Sequence, residues 1–269
     1  MNSTMDIALT KKVLAISQEA GELIMGFYRT NFTVTHKKDD SPLTQADMAA
    51  HKHISAALEK LTPDIPVLSE EAANISYSVR KTWTRYWLVD PLDGTREFVN
   101  RNDDFTVNIA LIENGEPIIG VVHVPVFNTS YYAARGAGAF ELKDGVERRI
   151  HIRTPVPALP YFVITRNNRD AALDALLAKL PAHEAVSRGS ALKICLVAAG
   201  DADLYPRTGP TSEWDTAAGH CVVDEAGGKI LRLPELTPLK YNQKDSLLNP
   251  GFVVIGDQQY GWEKYLMNQ

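Results

Sequence analysis

The stretch Trp87-Leu88-Val89-Asp90-Pro91-Leu92-Asp93-Gly94-Thr95 constrains this chain more than any other. Tyr86 to Val89 is an apolar run that reads as a buried strand and ends abruptly in the carboxylate of Asp90. Pro91 lacks the N–H that a ladder requires, so the chain is expected to turn there. Asp93 follows three residues after Asp90, and Gly94 permits a backbone geometry that other residues resist. Two carboxylates at a strand end, followed by the free amides of Gly-Thr, suit a cation and a phosphate side by side. Hard divalent cations take oxygen ligands, and Mg²⁺ is usually held by a few carboxylates plus phosphate oxygens of the substrate. The plainer alternative is a surface turn rich in Asp and Gly. Turn chemistry accounts for Pro91 and Gly94 but not for a second Asp.

Around this stretch the chain divides in two. Apolar residues at Ile7, Val13, Ile16, Ala20, Leu23, Ile24 and Phe27 predict a helix over 6–28 with one buried face. A short strand is expected at Phe32–Thr35, a polar turn at 37–42, and a second helix from Thr44 to Leu61 between Pro42 and Pro63. Asp47 would then sit in the first turn of that helix, where the dipole favours a carboxylate. Ile65–Leu68 reads as a buried strand leading to Ser69-Glu70-Glu71, and residues 72–85 as a polar connection. Strands at Phe105–Ile112, Ile118–Val124 and Ser130–Ala134, with hairpin signals at Asn114-Gly115 and Asp144-Gly145, predict a largely antiparallel sheet up to Ile152. Gly136-Ala137-Gly138-Ala139 lacks the Lys-Ser/Thr and the following helix of a phosphate loop, and reads as a tight turn.

Thr154-Pro155-Val156-Pro157 with Pro160 is the boundary candidate. It separates an N-terminal α+β half (1–154) carrying the acidic motifs from a C-terminal α/β half (155–269) expected to complete the site. The second half alternates. Strands are expected at Tyr161–Thr165, Glu184–Val186, Ala202–Tyr205, Gly228–Leu231 and Phe252–Ile255. Helices are expected at 169–180, 190–199, 214–225 and 257–267. Ser212 is placed to cap the third of these, with Asp215 in its first turn.

Several of these residues allow a structural reading alone. Asp47 and Asp215 each fit a helix start, Glu70-Glu71 fits a solvated acidic turn, and Lys193 and Arg207 fit solvated cations. Together Glu70, Asp90, Asp93 and Asp215 would make two carboxylate pairs, as many oxygen donors as a centre of more than one hard cation requires. No Ser/His/Asp or Cys/His arrangement competes with them.

Asp90-Pro-Leu-Asp-Gly-Thr95, together with Leu68-Ser-Glu-Glu71 upstream and Trp214-Asp-Thr-Ala-Ala-Gly219 downstream, resembles the signature of the Mg²⁺-dependent, Li⁺-sensitive phosphatases of the inositol monophosphatase superfamily. Three motifs in the family's order, spread over most of the chain, carry the resemblance. Gly189-Ser-Ala-Leu-Lys193 and Leu204-Tyr-Pro-Arg207 are most similar to the bacterial CysQ-type 3′(2′),5′-bisphosphate nucleotidases. The resemblance implies an α+β / α/β architecture. This is the layered αβαβα sugar-phosphatase fold, with a large antiparallel sheet and a smaller C-terminal α/β half.

It also implies roles. Glu70, Asp90 and the Leu92 carbonyl would hold one metal, and Asp90, Asp93 and Asp215 another, with two or three Mg²⁺ in all and Glu71 in support. Asp47 and Thr95 would orient and activate the attacking water, and the amides of Gly94 and Thr95 would bind the phosphate. Ser190, Lys193, Arg207 and Asp215 would face the nucleotide, with Tyr205 shaping the pocket. The loop at 37–42 would lie over the site. One departure stands out: relatives carry a His shortly after the strand at 161–165, where this chain reads Arg166-Asn167-Asn168-Arg169. Asn168 offers a hydrogen bond there but no charge.

The implied reaction is removal of the 3′-phosphate from 3′-phosphoadenosine 5′-phosphate by in-line attack of metal-activated water, without a phosphoenzyme. The sulfated precursor 3′-phosphoadenylyl sulfate is a second candidate substrate, which would place the enzyme in sulfur assimilation. Within the same fold the alternative is an inositol or sugar monophosphatase. From another class it is an RNA- or transcription-complex-binding module.

Composition bears on that choice. A net charge of −5 disfavours bulk nucleic-acid binding, while 45% hydrophobic residues provide an ample core. Cys195 and Cys221, far apart and without metal spacing, read as buried free thiols of a reducing compartment. With no leader and no membrane-spanning run, a cytoplasmic place is expected. The resemblance adds a peripheral position at the cytoplasmic face of the inner membrane. The expected partner is a small nucleoside bisphosphate, bound by a monomer or homodimer.

Overall fold

A computed structural model describes residues 3–30, 42–166 and 170–267. The strand expected at 32–35, most of the polar turn after it, and Asn167, Asn168 and Arg169 lie outside these residues. Two helices, α1 (Ser3–Tyr28) and α2 (Pro42–Leu61), open the chain. β1 (Val67–Ser69) follows, then a 3₁₀ turn at Glu70–Ala72 and the short α3 (Tyr77–Arg80) inside the segment read as a plain connection. β2 (Arg85–Asp93) leads through Gly94 into α4 (Thr95–Val99). Five antiparallel strands come next: β3 (Thr106–Glu113), β4 (Glu116–Val124), β5 (Thr129–Ala134), β6 (Gly138–Lys143) and β7 (Val146–Ile150). They complete a seven-stranded sheet in sequence order, antiparallel except for the parallel pair β1–β2.

The second half builds a five-stranded sheet of order β11-β12-β10-β8-β9. Its elements are β8 (Tyr161–Thr165), α5 (Ala171–Lys179), β9 (Glu184–Arg188), α6 (Leu192–Ala198) and β10 (Leu204–Arg207). They continue as α7 (Glu213–Glu225), β11 (Lys229–Arg232), β12 (Phe252–Ile255) and α8 (Glu263–Leu266). The helix expected at 257–267 is broken. A 3₁₀ turn at Gln258–Tyr260 ends in Gly261, whose φ of 77° interrupts the helix before α8.

Period-2 alternation sorts the large sheet into two cores. Trp87, Val89, Ile109, Leu111, Ile119 and Val121 face α1 and α2, whose Val13, Ala20, Ile24, Ala50 and Ile54 are buried against them. Tyr86, Leu88, Ala110, Ile112 and Val122 face the other way, onto α6 and α7. That core continues into Val163, Tyr205 and Val254 of the small sheet. Phe162, Leu204, Val253 and Ile255 form its outer core with Leu180, Trp262 and Leu266. The result is five layers, αβαβα. Gly120 lets α7 press directly on β4, since a Cβ there would stand 2.1 Å from the Ala218 carbonyl oxygen. The first turn of α7 is thereby held close to the end of β2.

Candidate active site

The expected turn at Pro91 does not occur. β2 continues to Asp93, and the missing N–H is absorbed by a register shift between Asp90 and Asp93, where the ladder with β3 skips two residues. The shift brings the side chains of Asp90 and Asp93 to one place. Gly94 then adopts φ 95°, a left-handed conformation, and a Cβ there would lie 3.2 Å from the Phe105 backbone. This starts α4 with Thr95 exposed at its first position.

Asp215 arrives from the sandwiched helix layer. Its Oδ2 accepts from the backbone N–H of Ser212 at 2.8 Å, the reach-back half of a capping box. One oxygen from each of Asp90, Asp93 and Asp215 lies within 4.8 Å of the others. Each carboxylate is also tied by a donor. Asp90 Oδ1 accepts from Leu92 N at 3.0 Å. Asp93 Oδ2 accepts from Ser190 Oγ at 2.8 Å, Ala191 N at 2.7 Å and Asn108 Nδ2 at 3.4 Å. The ties fix orientation and leave a second oxygen on each for a ligand.

Glu70, exposed in the 3₁₀ turn after β1, is not one of the three carboxylates that close on one another, but it lies near enough to Asp90 and Asp93 to feel them. Burial, then the charges of Asp93, Glu70, Asp215 and Asp47, push the Asp90 carboxyl well above the usual range. Burial and Asp93 raise Asp215 to about 7, and burial with Asp93 also raises Glu70. Among the described residues, the charged groups that act on Asp90 are all carboxylates. An all-oxygen set in mutual repulsion fits a hard divalent cation, which would relieve it.

Asp47 is not in the first turn of α2. The helix begins at Pro42, so Asp47 falls in the second turn, and the dipole does not explain it. It is buried against Glu71 and Glu70, and burial followed by their charges raises it to about 8. Its Oδ1 has no hydrogen-bond partner. His51, one turn on, meets the Ser69 hydroxyl at 2.9 Å and ties α2 to the end of β1.

Beside the carboxylates opens a cavity of ≈ 270 Å³ whose lining includes Thr95, Ser190, Lys193, Tyr205, Arg207 and Asp215. Ser190 does not share a helix face with Lys193. It precedes α6 and holds a left-handed φ of 56°. Arg207 is the last residue of β10 rather than a residue beyond the strand. Both cations are buried. Lys193 Nζ donates to the Ser190 carbonyl at 2.7 Å, and burial lowers it to about 8. Arg207 Nη2 donates to the Pro210 carbonyl at 3.1 Å, while its Nε has no acceptor. Solvated cations they are not.

Residues that the sequence reading passed over also build the site. Asn108 and Thr106 are polar residues at the start of an otherwise apolar β3, and that break in an apolar run was the available signal. Glu97 of α4 and Thr165 of β8 line the cavity.

The family model described as "Inositol monophosphatase family" matches residues 8–259. The 3′(2′),5′-bisphosphate nucleotidase CysQ of Salmonella typhimurium is 49% identical over 248 residues, covering 91% of this chain and 99% of its own. CysQ of Escherichia coli strain K12 is 50% identical over 245 residues, covering 90% and 98%. The crystal structure of CysQ from Bacteroides thetaiotaomicron, a bacterial member of the inositol monophosphatase family, is similar with a TM-score of 0.85 at 39% identity. It covers 93% of this chain and 97% of that one. The order of the three acidic motifs, the five-layered fold and these likenesses agree, and the chain belongs to the inositol monophosphatase family.

Proposed function

We propose that this protein is a Mg²⁺-dependent 3′(2′),5′-bisphosphate nucleotidase that hydrolyses 3′-phosphoadenosine 5′-phosphate to AMP and phosphate. The observation that carries the reading is the pairing of a carboxylate cluster with a cavity holding two buried cations, Lys193 and Arg207. A monophosphate has no use for the second, cationic part. The similarity to enzymes named 3′(2′),5′-bisphosphate nucleotidase supports the same substrate class.

Glu70, Asp90, Asp93 and Asp215, with the Leu92 carbonyl, would hold two or three Mg²⁺, with Glu71 alongside. These ions would supply charge neutralisation at the phosphoryl group and a lowered pKa for the attacking water. The amides of Gly94 and Thr95, at the start of α4, bind the phosphate that leaves. Asp47 accepts the proton of the water through Thr95, and its open Oδ1 leaves an acceptor for it. The water oxygen bonds to phosphorus as the P–O3′ bond breaks, and the leaving oxygen takes up a proton from solvent to become the 3′-hydroxyl, so no phosphoenzyme forms. Lys193 and Arg207 hold the second phosphate, Ser190 contacts the ribose side, and Tyr205 walls the pocket. 3′-Phosphoadenylyl sulfate presents the same 3′-phosphate to the same groups, which connects the activity to sulfur assimilation.

Among the described residues no helix is long and apolar enough to cross a membrane. A cytoplasmic place fits the two buried free thiols. Neither the fold nor the relatives' names support the peripheral membrane position that the resemblance implied. The test is phosphate release from 3′-phosphoadenosine 5′-phosphate and from inositol 1-phosphate, with Mg²⁺, without it, and with added Li⁺. Preference for inositol phosphate would overturn the substrate assignment.

A further inference from the structure

Asp104 lies outside every motif and outside the cavity, yet it is buried with two partners on one oxygen. Its Oδ2 accepts from the Gly189 backbone N–H at 3.0 Å and pairs with Arg166 Nη2 at 2.8 Å. Arg166 follows β8, and its backbone N–H donates to the Arg188 carbonyl at the end of β9. A single carboxylate of the first half therefore grips the ends of two strands of the second.

What it grips matters. Gly189 begins the turn whose next two residues, Ser190 and Ala191, donate to Asp93 Oδ2 at 2.8 and 2.7 Å. The turn is held from both sides by carboxylates of the first half, Asp104 on one amide and Asp93 on the next but one. Between them Ser190 sits at φ 56°, a conformation that a side chain bearing a Cβ adopts only when its surroundings impose it. The mount of Asp104 is itself fixed. Tyr28 donates to Asp103 Oδ1 at 2.6 Å, and Arg101 donates to the carbonyls of Tyr28 and Thr30. A rigid path thus runs from the end of α1 through 101–104 and the 189–191 turn to Asp93.

We propose that Asp104, locked by Arg166, is a positioning residue that sets the 189–191 turn and, through it, the carboxylate plane of Asp93. It touches neither substrate nor cation. Donors on one oxygen of a ligating carboxylate orient the other, and losing such outer partners typically costs about 10–100-fold in metal affinity or activity. The role rests on Asp93 holding a cation, as proposed above, and concerns how that cation is held rather than which ester is cut.

The experiment compares Asp104→Ala, Asp104→Asn and Arg166→Ala with the unaltered protein. Two readouts need no substrate: amide hydrogen exchange at 189–191, and the Mg²⁺ concentration that half-saturates thermal stabilisation. Asp104→Ala is expected to speed exchange at Gly189 and Ala191 and to raise the half-saturating Mg²⁺ by about 10-fold or more. Asp104→Asn keeps an acceptor for Gly189 and should lose less. Arg166→Ala, whose side chain is partly exposed, should shift both readouts in the same direction and decides the matter if Asp104→Ala does not fold. Unchanged Ala191 exchange and Mg²⁺ demand in a folded variant would overturn the proposal. So would a loss confined to KM for the bisphosphate. If the unaltered protein ignores the bisphosphate while the exchange and Mg²⁺ shifts both occur in the variants, the substrate assignment fails and the positioning role stands.

Discussion

Lys193 and Tyr205 form a buried pair, with the ammonium nitrogen 5.2 Å from the centroid of the tyrosine ring. The ring face and the Ser190 carbonyl receive the charge, and the carboxylates of Asp93, Glu97 and Asp104 favour it, but burial outweighs them and lowers the lysine to about 8. The charge needed for a second phosphate is therefore lost just above neutrality.

For the bisphosphate, kcat/KM should fall as pH rises through about 8, the pKa of the free enzyme's lysine. Lys193→Arg should remove that limb, because a guanidinium does not titrate in this range. Stability should move the opposite way. A lysine with a depressed pKa binds fewer protons folded than unfolded between about pH 8 and 10.4, so its contribution improves with pH across that window. Parallel pH profiles of kcat/KM and Tm check the assignment. A bisphosphate limb that survives in Lys193→Arg would refute it.

The carboxylates give the reverse dependence. Asp47 stands at about 8 and Asp215 at about 7, each raised first by burial. Between an unfolded value of about 4 and these values the folded state binds more protons, so stability falls as pH rises. Chelator-treated protein should therefore melt lower at pH 8 than at about pH 5.5, by several degrees. Saturating Mg²⁺ should abolish the difference, because a cation replaces the protons. Asp90→Asn removes one charge from the cluster. It should raise Tm in chelator while eliminating most Mg²⁺-dependent turnover. Near-normal turnover of that variant at high Mg²⁺ would sink the metal assignment.

The pair Asp90 and Asp93 was legible because it follows an apolar run, a local pattern that survives in one dimension, whereas Asp215 read locally as a helix start and joined the pair only through the family resemblance. The antiparallel sheet followed from strand alternation and hairpin signals, and the two halves from the change of pattern after Thr154, whereas the five layers were implied only by the family resemblance. Two things were misread locally. Pro91 ends ladders in general, but a register shift absorbs it here, a device visible only once β3 is paired with β2. Asp47 matched a helix start, and its true position one turn further in depended on where α2 begins. The ties that orient the site, Asn108 and the 189–191 turn on Asp93, join residues 15 to 98 apart. Chain separation of that size leaves no periodic trace.

Arg207 is the next test of selectivity. It is buried with its Nε lacking an acceptor, a state that costs free energy until a ligand oxygen arrives. A hydrogen bond to a charged group contributes about 1.5–3 kcal/mol, roughly 10- to 150-fold in kcat/KM. Arg207→Ala should raise KM for the bisphosphate by an amount in this range and leave a monophosphate substrate nearly unaffected. Steady-state kinetics on both esters decide it, and equal losses would remove Arg207 from the basis of selectivity.

Asp47 and Thr95 come from different elements, α2 and the first position of α4, and are proposed to share one task. Thr95→Ala should reduce kcat by about 10²–10⁴-fold, the usual worth of positioned proton transfer, with little change in KM. Asp47→Asn should do the same, since its amide cannot accept the proton. If both residues serve the same water, the double variant should be scarcely worse than either single one. Additive losses would mean that they act separately, and a Thr95→Ala defect expressed mainly in KM would make Thr95 a phosphate-binding residue. The Asp47→Asn variant carries a second readout. Removing a buried carboxyl that presses on Glu70 and Glu71 should make the chelator-treated protein more stable at pH 8, so that loss of turnover and gain of Tm appear together.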